Sequence, residues 1–257
     1  MKHLLFRMML IPAIICAFLT AAAAETGRLN LVMIGGDGDL ETGNNNIFRN
    51  ILFQHEDLQD DAEAFFVRSV KGDYTNATAI QRKELAAQCL SADGVNVIAG
   101  FSHGGQSVYF LETDNISDIF LMDACVSIGG KCSNPDSCGK VWAEWIIDTA
   151  KKGVNLHVFA SKGKHDEPSG TKNAIRYLEE IATEDAAVVN LEDGWYRTSC
   201  ENGGKTALIE TAVLEGTHKD ICITVEERVA QYLYTLLGKP GEQQTGQAES
   251  ANSPGSR

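Results

Sequence analysis

The sequence has no excess of positive charge: 22 lysines and arginines stand against 35 aspartates and glutamates, for a formal net charge of −13. A chain this acidic is repelled by phosphate backbones and by anionic lipid surfaces, which argues against nucleic acid as a partner. There is no C-x-x-C pair, and no histidine stands at ligand spacing from a cysteine, so a zinc site finds no support. No apolar run reaches bilayer length; the best of them, Met8 to Leu19, gives way at once to small residues. No internal repeat of solenoid length is present either.

The short apolar run reads instead as the core of an export signal. Lys2 and Arg7 precede it, and Ala21–Ala24 offers an A-x-A cleavage site before Glu25. The competing reading is an uncleaved N-terminal anchor. A lipid anchor at Cys16 is disfavoured, because two isoleucines precede it where a small residue is needed. Residues 1–24 are thus expected to be removed, leaving a secreted or periplasmic chain with no stable membrane insertion. Loss of the signal's two basic residues takes the formal charge from −13 to −15. Residues 25–237 are then one domain of ample size for a core. Residues 238–257 are mostly Gly, Ser, Pro, Gln and Asn, which bury too little apolar surface to offset ordering entropy, and read as a disordered tail.

Six cysteines remain after the signal: Cys89, Cys125, Cys132, Cys138, Cys200 and Cys222. An even number in an exported chain suggests up to three disulfides. Cys132 and Cys138, flanking the short loop with Asn134-Pro135-Asp136, are the expected pair.

Along the chain, short β-branched runs alternate with helical patterns. Strands are expected at Leu29–Ile34, Ala64–Val70, Val95–Gly100, Ile116–Met122, Val154–Ala160 and Ala207–Leu214. Helices are expected at Asn45–Gln54, Ala79–Leu90, Val141–Lys151, Thr171–Thr183 and Val225–Leu237. A polar turn at Glu201–Lys205 separates two extended stretches, the second being Ala207–Leu214. This alternation describes an α/β fold, a three-layer α/β/α sandwich with a mostly parallel sheet. Ligands of such folds bind beyond the carboxyl ends of the strands, so the exit loops are where chemistry is sought.

The third strand runs straight into Gly100-Phe101-Ser102-His103-Gly104-Gly105, a G-x-S-x-G motif in strand-to-helix context. A serine hydroxyl needs a base to take its proton and an acid to orient that base. Of the five histidines outside the signal, His55 precedes the serine, and His157 lies within a strand. His103 should point away from Ser102, and His165 falls where an acid is expected. His218, between the last strand and the final helix, is the expected base; otherwise it is a plain surface histidine. For the acid, Asp166 follows the fifth strand and is preferred, with Asp123 at the end of the fourth strand as its competitor.

Acyl transfer also needs donors for a developing oxyanion. The backbone N–H of His103 is one. The other is expected from the loop after the first strand, Gly35-Gly36-Asp37-Gly38-Asp39, with Gly36 and Asp37 nearest the substrate. As a dinucleotide fingerprint this loop fails, because Glu41 stands where the third glycine belongs. As a calcium loop it fails at Thr42 and Phe48. The helix bearing Trp142, Trp145 and Ile146 reads either as core packing or as one wall of an acyl-binding groove. Two N-glycosylation triplets, at Asn76 and Asn115, are close to chance.

Strand–Gly-Phe-Ser-His-Gly-Gly–helix, Asp166 with Pro168 beyond it, and Gly216-Thr217-His218 follow one another as they do in the α/β-hydrolase superfamily. Over the expected domain the chain resembles that superfamily. Gly-Phe-Ser-x-Gly-Gly is similar to the small carboxylesterase and acyl-protein thioesterase branch, and the first-strand loop to that branch and to the cutinases. It departs from them in lacking His-Gly before that loop, in Asp39 where a cutinase carries a hydroxyl, and in Lys164-His165 before the acid. With one strand ahead of the loop, a reduced α/β-hydrolase sheet is implied. The resemblance implies a serine hydrolase acting on a small-molecule ester or acyl substrate through Ser102, Asp166 and His218, without cofactor or metal. The rival readings are a non-catalytic binding module of the same fold, and a peptidase or amidase using the same triad.

Overall fold

The computed structural model describes residues 28–36, 46–68, 75–163, 170–185, 188–191, 195–202 and 205–240. The expected signal (1–24) and all but the first residues of the expected tail therefore lie outside the described residues.

Eight strands form one sheet in the order β2-β1-β3-β4-β5-β8-β7-β6. They are β1 (Leu29–Ile34), β2 (Ala62–Val67), β3 (Val95–Phe101), β4 (Asp118–Met122), β5 (Asn155–Ser161), β6 (Val188–Leu191), β7 (Trp195–Asn202) and β8 (Lys205–Leu214). The six strands from β2 to β8 are parallel, and the β8-β7-β6 meander closes the sheet with antiparallel pairs. The architecture is the α/β three-layer sandwich that the alternation of elements implies. β1 shows why: Leu-Asn-Leu-Val-Met-Ile is buried at every position, as a strand covered on both faces must be.

Side chains alternate between two cores. Val32, Ile34, Ile98, Leu121 and Val158 face one side, under α2 (Asn76–Gln88), α3 (Gly104–Tyr109), α4 (Pro135–Ala150) and α5 (Gly170–Asp185). Leu31, Met33, Ala99, Phe120 and Phe159 face the other, under α1 (Ile47–Gln54), α6 (Ile221–Thr224) and α7 (Glu226–Leu236). Each fully buried aliphatic or aromatic side chain contributes about 1.5–3 kcal/mol of transfer free energy. α1 lies on one face and α3 on the other, and they follow the neighbouring strands β1 and β3. The topological switch point of the sheet therefore falls between these two strands.

Several boundaries shift for identifiable reasons. α4 begins at Pro135 rather than Val141, because Asn134 caps it: its side chain accepts from Ser137 N, and Pro135 opens the first turn. β2 starts two residues early, at Ala62, where it pairs with Leu29. β6 is new; its four residues gain their place from pairing with β7, which no local pattern announces.

A polar cluster is buried beneath α7. The ring of His157 stacks on Phe120 at 4.2 Å and donates from Nδ1 to Glu210 Oε2, 2.9 Å away. Its Nε2 faces Asp118 Oδ1 at 3.6 Å, an electrostatic contact too long for a hydrogen bond. Arg228 pairs with Glu210, and the Tyr232 hydroxyl donates to Asp118 at 2.6 Å. Burial alone would strip the imidazole of its proton, but the two carboxylates overrule it and raise the His157 pKa. The Glu210 carboxyl is driven to about 2, burial opposing and the contacts with His157 and Arg228 prevailing. His157 is thus a structural residue, its ring nitrogens facing two buried carboxylates.

Candidate active site

Strand β3 ends at Phe101, and the chain enters α3 two residues later. Between them Ser102 takes a φ of +52°. For a residue with a Cβ this left-handed conformation costs about 1–3 kcal/mol. The turn is held on both sides: Ser102 N–H donates to Met122 O of β4 at 3.2 Å, and its carbonyl accepts from Gly105 N at 3.0 Å. α3 lies so close to β1 that a Cβ at Gly104 would stand 2.0 Å from the Ile34 carbonyl oxygen. Only glycine fits there, which gives the second glycine of G-x-S-x-G its physical reason. Ser102 is left 7% exposed and lines a cavity at this end of the sheet.

His218 reaches the same place from the far side of the sheet. Its loop is tied down by Thr217, whose N–H and hydroxyl both donate to Asp220 Oδ2, at 2.9 and 2.6 Å. Those two bonds hold the Asp220 carboxyl below its ordinary pKa. Gly216, at φ +112°, accepts from Gly163 N at 3.0 Å and so ties this loop to the one after β5. The imidazole lies flat on Phe101, the residue before the serine, with ring centroids 4.8 Å apart and planes 22° off parallel.

The carboxylate that meets this ring is Asp123. His218 Nδ1 lies 3.2 Å from Asp123 Oδ2, the oxygen that also accepts from the Ser161 hydroxyl at 2.5 Å, while Oδ1 accepts from Ser161 N at 3.1 Å. Asp123 itself sits at φ +47°, with its N–H donated to Phe159 O at 2.8 Å. A buried carboxylate with three donors is fixed in orientation, and it commits the Nδ1 proton of His218 to itself. The ring's Nε2 edge is the one left for the cavity. Among the described residues, the Ser102 hydroxyl makes no hydrogen bond to His218 in this conformation; the two groups share one cavity.

Asp166, the preferred acid from sequence, and Asp37, expected beside the oxyanion, both lie outside the described residues. Gly36 is described, and its placement is telling: a Cβ there would stand 2.6 Å from Ser102 Cβ. The backbone of Gly36 thus lies against the serine side chain. Its N–H makes no hydrogen bond among the described residues. His103 caps the start of α3, and its ring does not line the cavity.

The cavity holds about 750 Å³. Ser102, Asp123 and His218 line it, and Ser127, Pro135 and Thr171 contribute to its wall. The Cys132–Cys138 disulfide, with Cα atoms 5.0 Å apart, closes the loop that supplies Ser133, Asn134 and Pro135 to that wall. The expected pairing is therefore present. Three disulfides are not formed: Cys89, Cys125 and Cys222 are free thiols, and burial pushes the pKa of each up. The tryptophan helix resolves as core. Trp142 and Ile146 are fully buried, and the Trp142 indole donates to Val126 O at 2.9 Å, bracing the cavity wall from behind.

Sequence reasoning missed two contributors. Ser161, which holds Asp123, is an ordinary serine at the end of β5. Phe101, the shelf under His218, is hidden inside the motif itself. The signal for Ser161 lies in register: β4 and β5 pair Met122 with Phe159, which brings the exit of β4 at Asp123 beside the last two residues of β5, Ala160 and Ser161. Among the described residues no group of three or more His, Cys, Asp or Glu side chains is placed to hold a metal ion. Nor is any helix among them long and apolar enough to cross a membrane. Compared with known proteins, the chain matches no protein-family model and no curated protein.

Proposed function

We infer that this chain is an exported serine hydrolase of the α/β-hydrolase type that cleaves carboxylic esters or thioesters through an acyl-enzyme. The observation that carries the reading is the convergence of a left-handed Ser102 and a carboxylate-bound His218 on one cavity. Residues 116 positions apart in sequence meet there, although neither is needed for the core.

His218 Nε2 takes the Ser102 proton as the hydroxyl oxygen bonds to the substrate carbonyl, and Asp123 stabilises the imidazolium. The N–H groups of His103 and Gly36 receive the oxyanion, an effect in which each donor is worth roughly 10²–10³ in kcat. The alcohol or thiol leaves with the proton returned by His218. Water, deprotonated by the same ring, then releases the acid and restores the serine. Asp123 takes the place that sequence gave to Asp166, because it is the carboxylate in contact with the imidazole.

The test is covalent labelling with a fluorophosphonate. Native protein is expected to react and Ser102→Ala to be silent. Labelling that persists in Ser102→Ala, or its absence in the native protein, would remove the proposal. Amide cleavage employs the same groups, and a panel of nitrophenyl esters beside peptide anilides separates the two activities. A pure binding module is the reading left if neither turns over.

A further inference from the structure

The carboxylate and the imidazole come from the exits of β4 and β8, which are not neighbours in the sheet. Strand β5 lies between them and touches both. Three successive N–H groups at its end point in two directions. Ser161 N–H donates to Asp123 Oδ1 at 3.1 Å. Lys162 N–H and Gly163 N–H donate the other way, to Leu214 O at 2.7 Å and Gly216 O at 3.0 Å. Ser161 is also in register with Leu214, the last residue of β8, and Gly216 stands two residues ahead of His218. The end of β5 is therefore a clamp that fixes the acid against the loop bearing the base.

Within this clamp one side chain acts on the carboxylate. The buried Ser161 hydroxyl donates to Asp123 Oδ2 at 2.5 Å, the same oxygen that lies 3.2 Å from His218 Nδ1. A carboxylate oxygen offers about two acceptor positions. The hydroxyl fills one, and the imidazole faces the other. The backbone bond from Ser161 N reaches only Oδ1, and a carboxyl group held at one oxygen can still turn the second away from the ring. The hydroxyl is the second point of attachment, and it sets the plane. Because its acceptor is a charge, this bond is roughly twice as strong as one between neutral groups.

We propose that Ser161 is a positioning residue for ester hydrolysis, its hydroxyl holding the Asp123 carboxylate in the orientation from which it orients His218. The inference rests on the reading of Ser102 and His218 as nucleophile and base, and adds a fourth residue to it. The experiment is a double-mutant cycle on the hydrolysis of 4-nitrophenyl acetate, with thermal denaturation to confirm folding. Ser161→Ala is expected to lower kcat about tenfold, the scale of one hydrogen bond to a charged group, and to leave KM within about twofold. Ser161→Thr keeps the hydroxyl and should recover most of the loss. In an Asp123→Asn background Ser161→Ala should cost less than about twofold more, because the carboxylate through which the hydroxyl acts is gone. A residue that only supports the fold would cost the same factor in both backgrounds, and one that only lines the cavity would raise KM and spare kcat. Either result overturns the proposal. The rate of fluorophosphonate labelling, measured on the same four proteins, should show the same pattern. Native-like kcat in a folded Ser161→Ala removes Ser161 from the relay and leaves the hydrolase standing. A native protein that neither turns over the ester nor reacts with the fluorophosphonate removes both.

Discussion

Replacing Asp123 by asparagine exchanges one carboxylate oxygen for an amide and leaves the shape of the residue unchanged. Asparagine tolerates a φ of +47° about as well as aspartate, so the strand exit survives the change. What is lost is electrostatic. One amide oxygen cannot accept from both Ser161 and His218 as the carboxylate does, at 3.1 Å to Ser161 N and 3.2 Å to His218 Nδ1. If the amide nitrogen turns to His218, the imidazole must present Nδ1 as an acceptor and carry its proton on Nε2, the wrong tautomer for a base. The imidazolium also loses its counter-charge. Together these are worth roughly 10⁴ in kcat, or about 5 kcal/mol of transition-state stabilisation. The assay is steady-state hydrolysis of 4-nitrophenyl acetate by Asp123→Asn and Asp166→Asn side by side, with thermal denaturation to confirm folding. The expected outcome is a collapse of kcat in the first and little change in the second. Native-like turnover by a folded Asp123→Asn, with loss in Asp166→Asn, would refute the assignment and return the acid to the loop after β5.

Gly36→Ala is expected to lower kcat by 100-fold or more, on the order of one lost oxyanion donor, because its methyl would press on Ser102 Cβ from 2.6 Å; a fully active alanine variant, measured on the same ester, would separate Gly36 from the reaction. Stability should vary with pH through the cluster beneath α7. The Glu210 carboxyl is held at about 2, so its contribution is present above the ordinary glutamate range and is lost as pH falls from about 4.5 towards 2. His157, with its pKa raised, contributes in the opposite sense: its share is complete below about 6.5 and disappears as pH rises through the folded-state value. Urea denaturation of the native protein and His157→Gln across pH should show the alkaline loss in the first and not in the second. Removing the disulfide with Cys132→Ser/Cys138→Ser opens a loop of six-residue separation and should cost about 2 kcal/mol of stability by loop entropy, read as a shift in the urea midpoint.

The parallel sheet was readable because its strands are apolar on both faces: Leu29–Ile34 and Val95–Phe101 need no partner to be recognised. β6 was not, because Val188–Leu191 is a strand only by virtue of β7 beside it. The same division runs through the candidate site. Ser102 carries its own local signature in the glycines that the turn requires, and His218 follows from chain order. The choice between Asp123 and Asp166 depends instead on where a strand exit lands relative to an imidazole 95 residues later, and no local rule encodes that.

Strain offers an argument independent of motif. Among the described residues, two that are not glycine adopt positive φ, Ser102 at +52° and Asp123 at +47°. Each conformation costs about 1–3 kcal/mol and gives nothing to the core. The two stand at the ends of adjacent parallel strands, each donating its N–H to the next strand over, Ser102 to Met122 and Asp123 to Phe159. A glycine at either position would relieve the backbone and leave that ladder bond unchanged. What glycine cannot supply is a hydroxyl at the cavity or a carboxylate under an imidazole. The fold therefore tolerates strain at two adjacent strand exits, and backbone geometry singles out the same pair that the proposed chemistry requires.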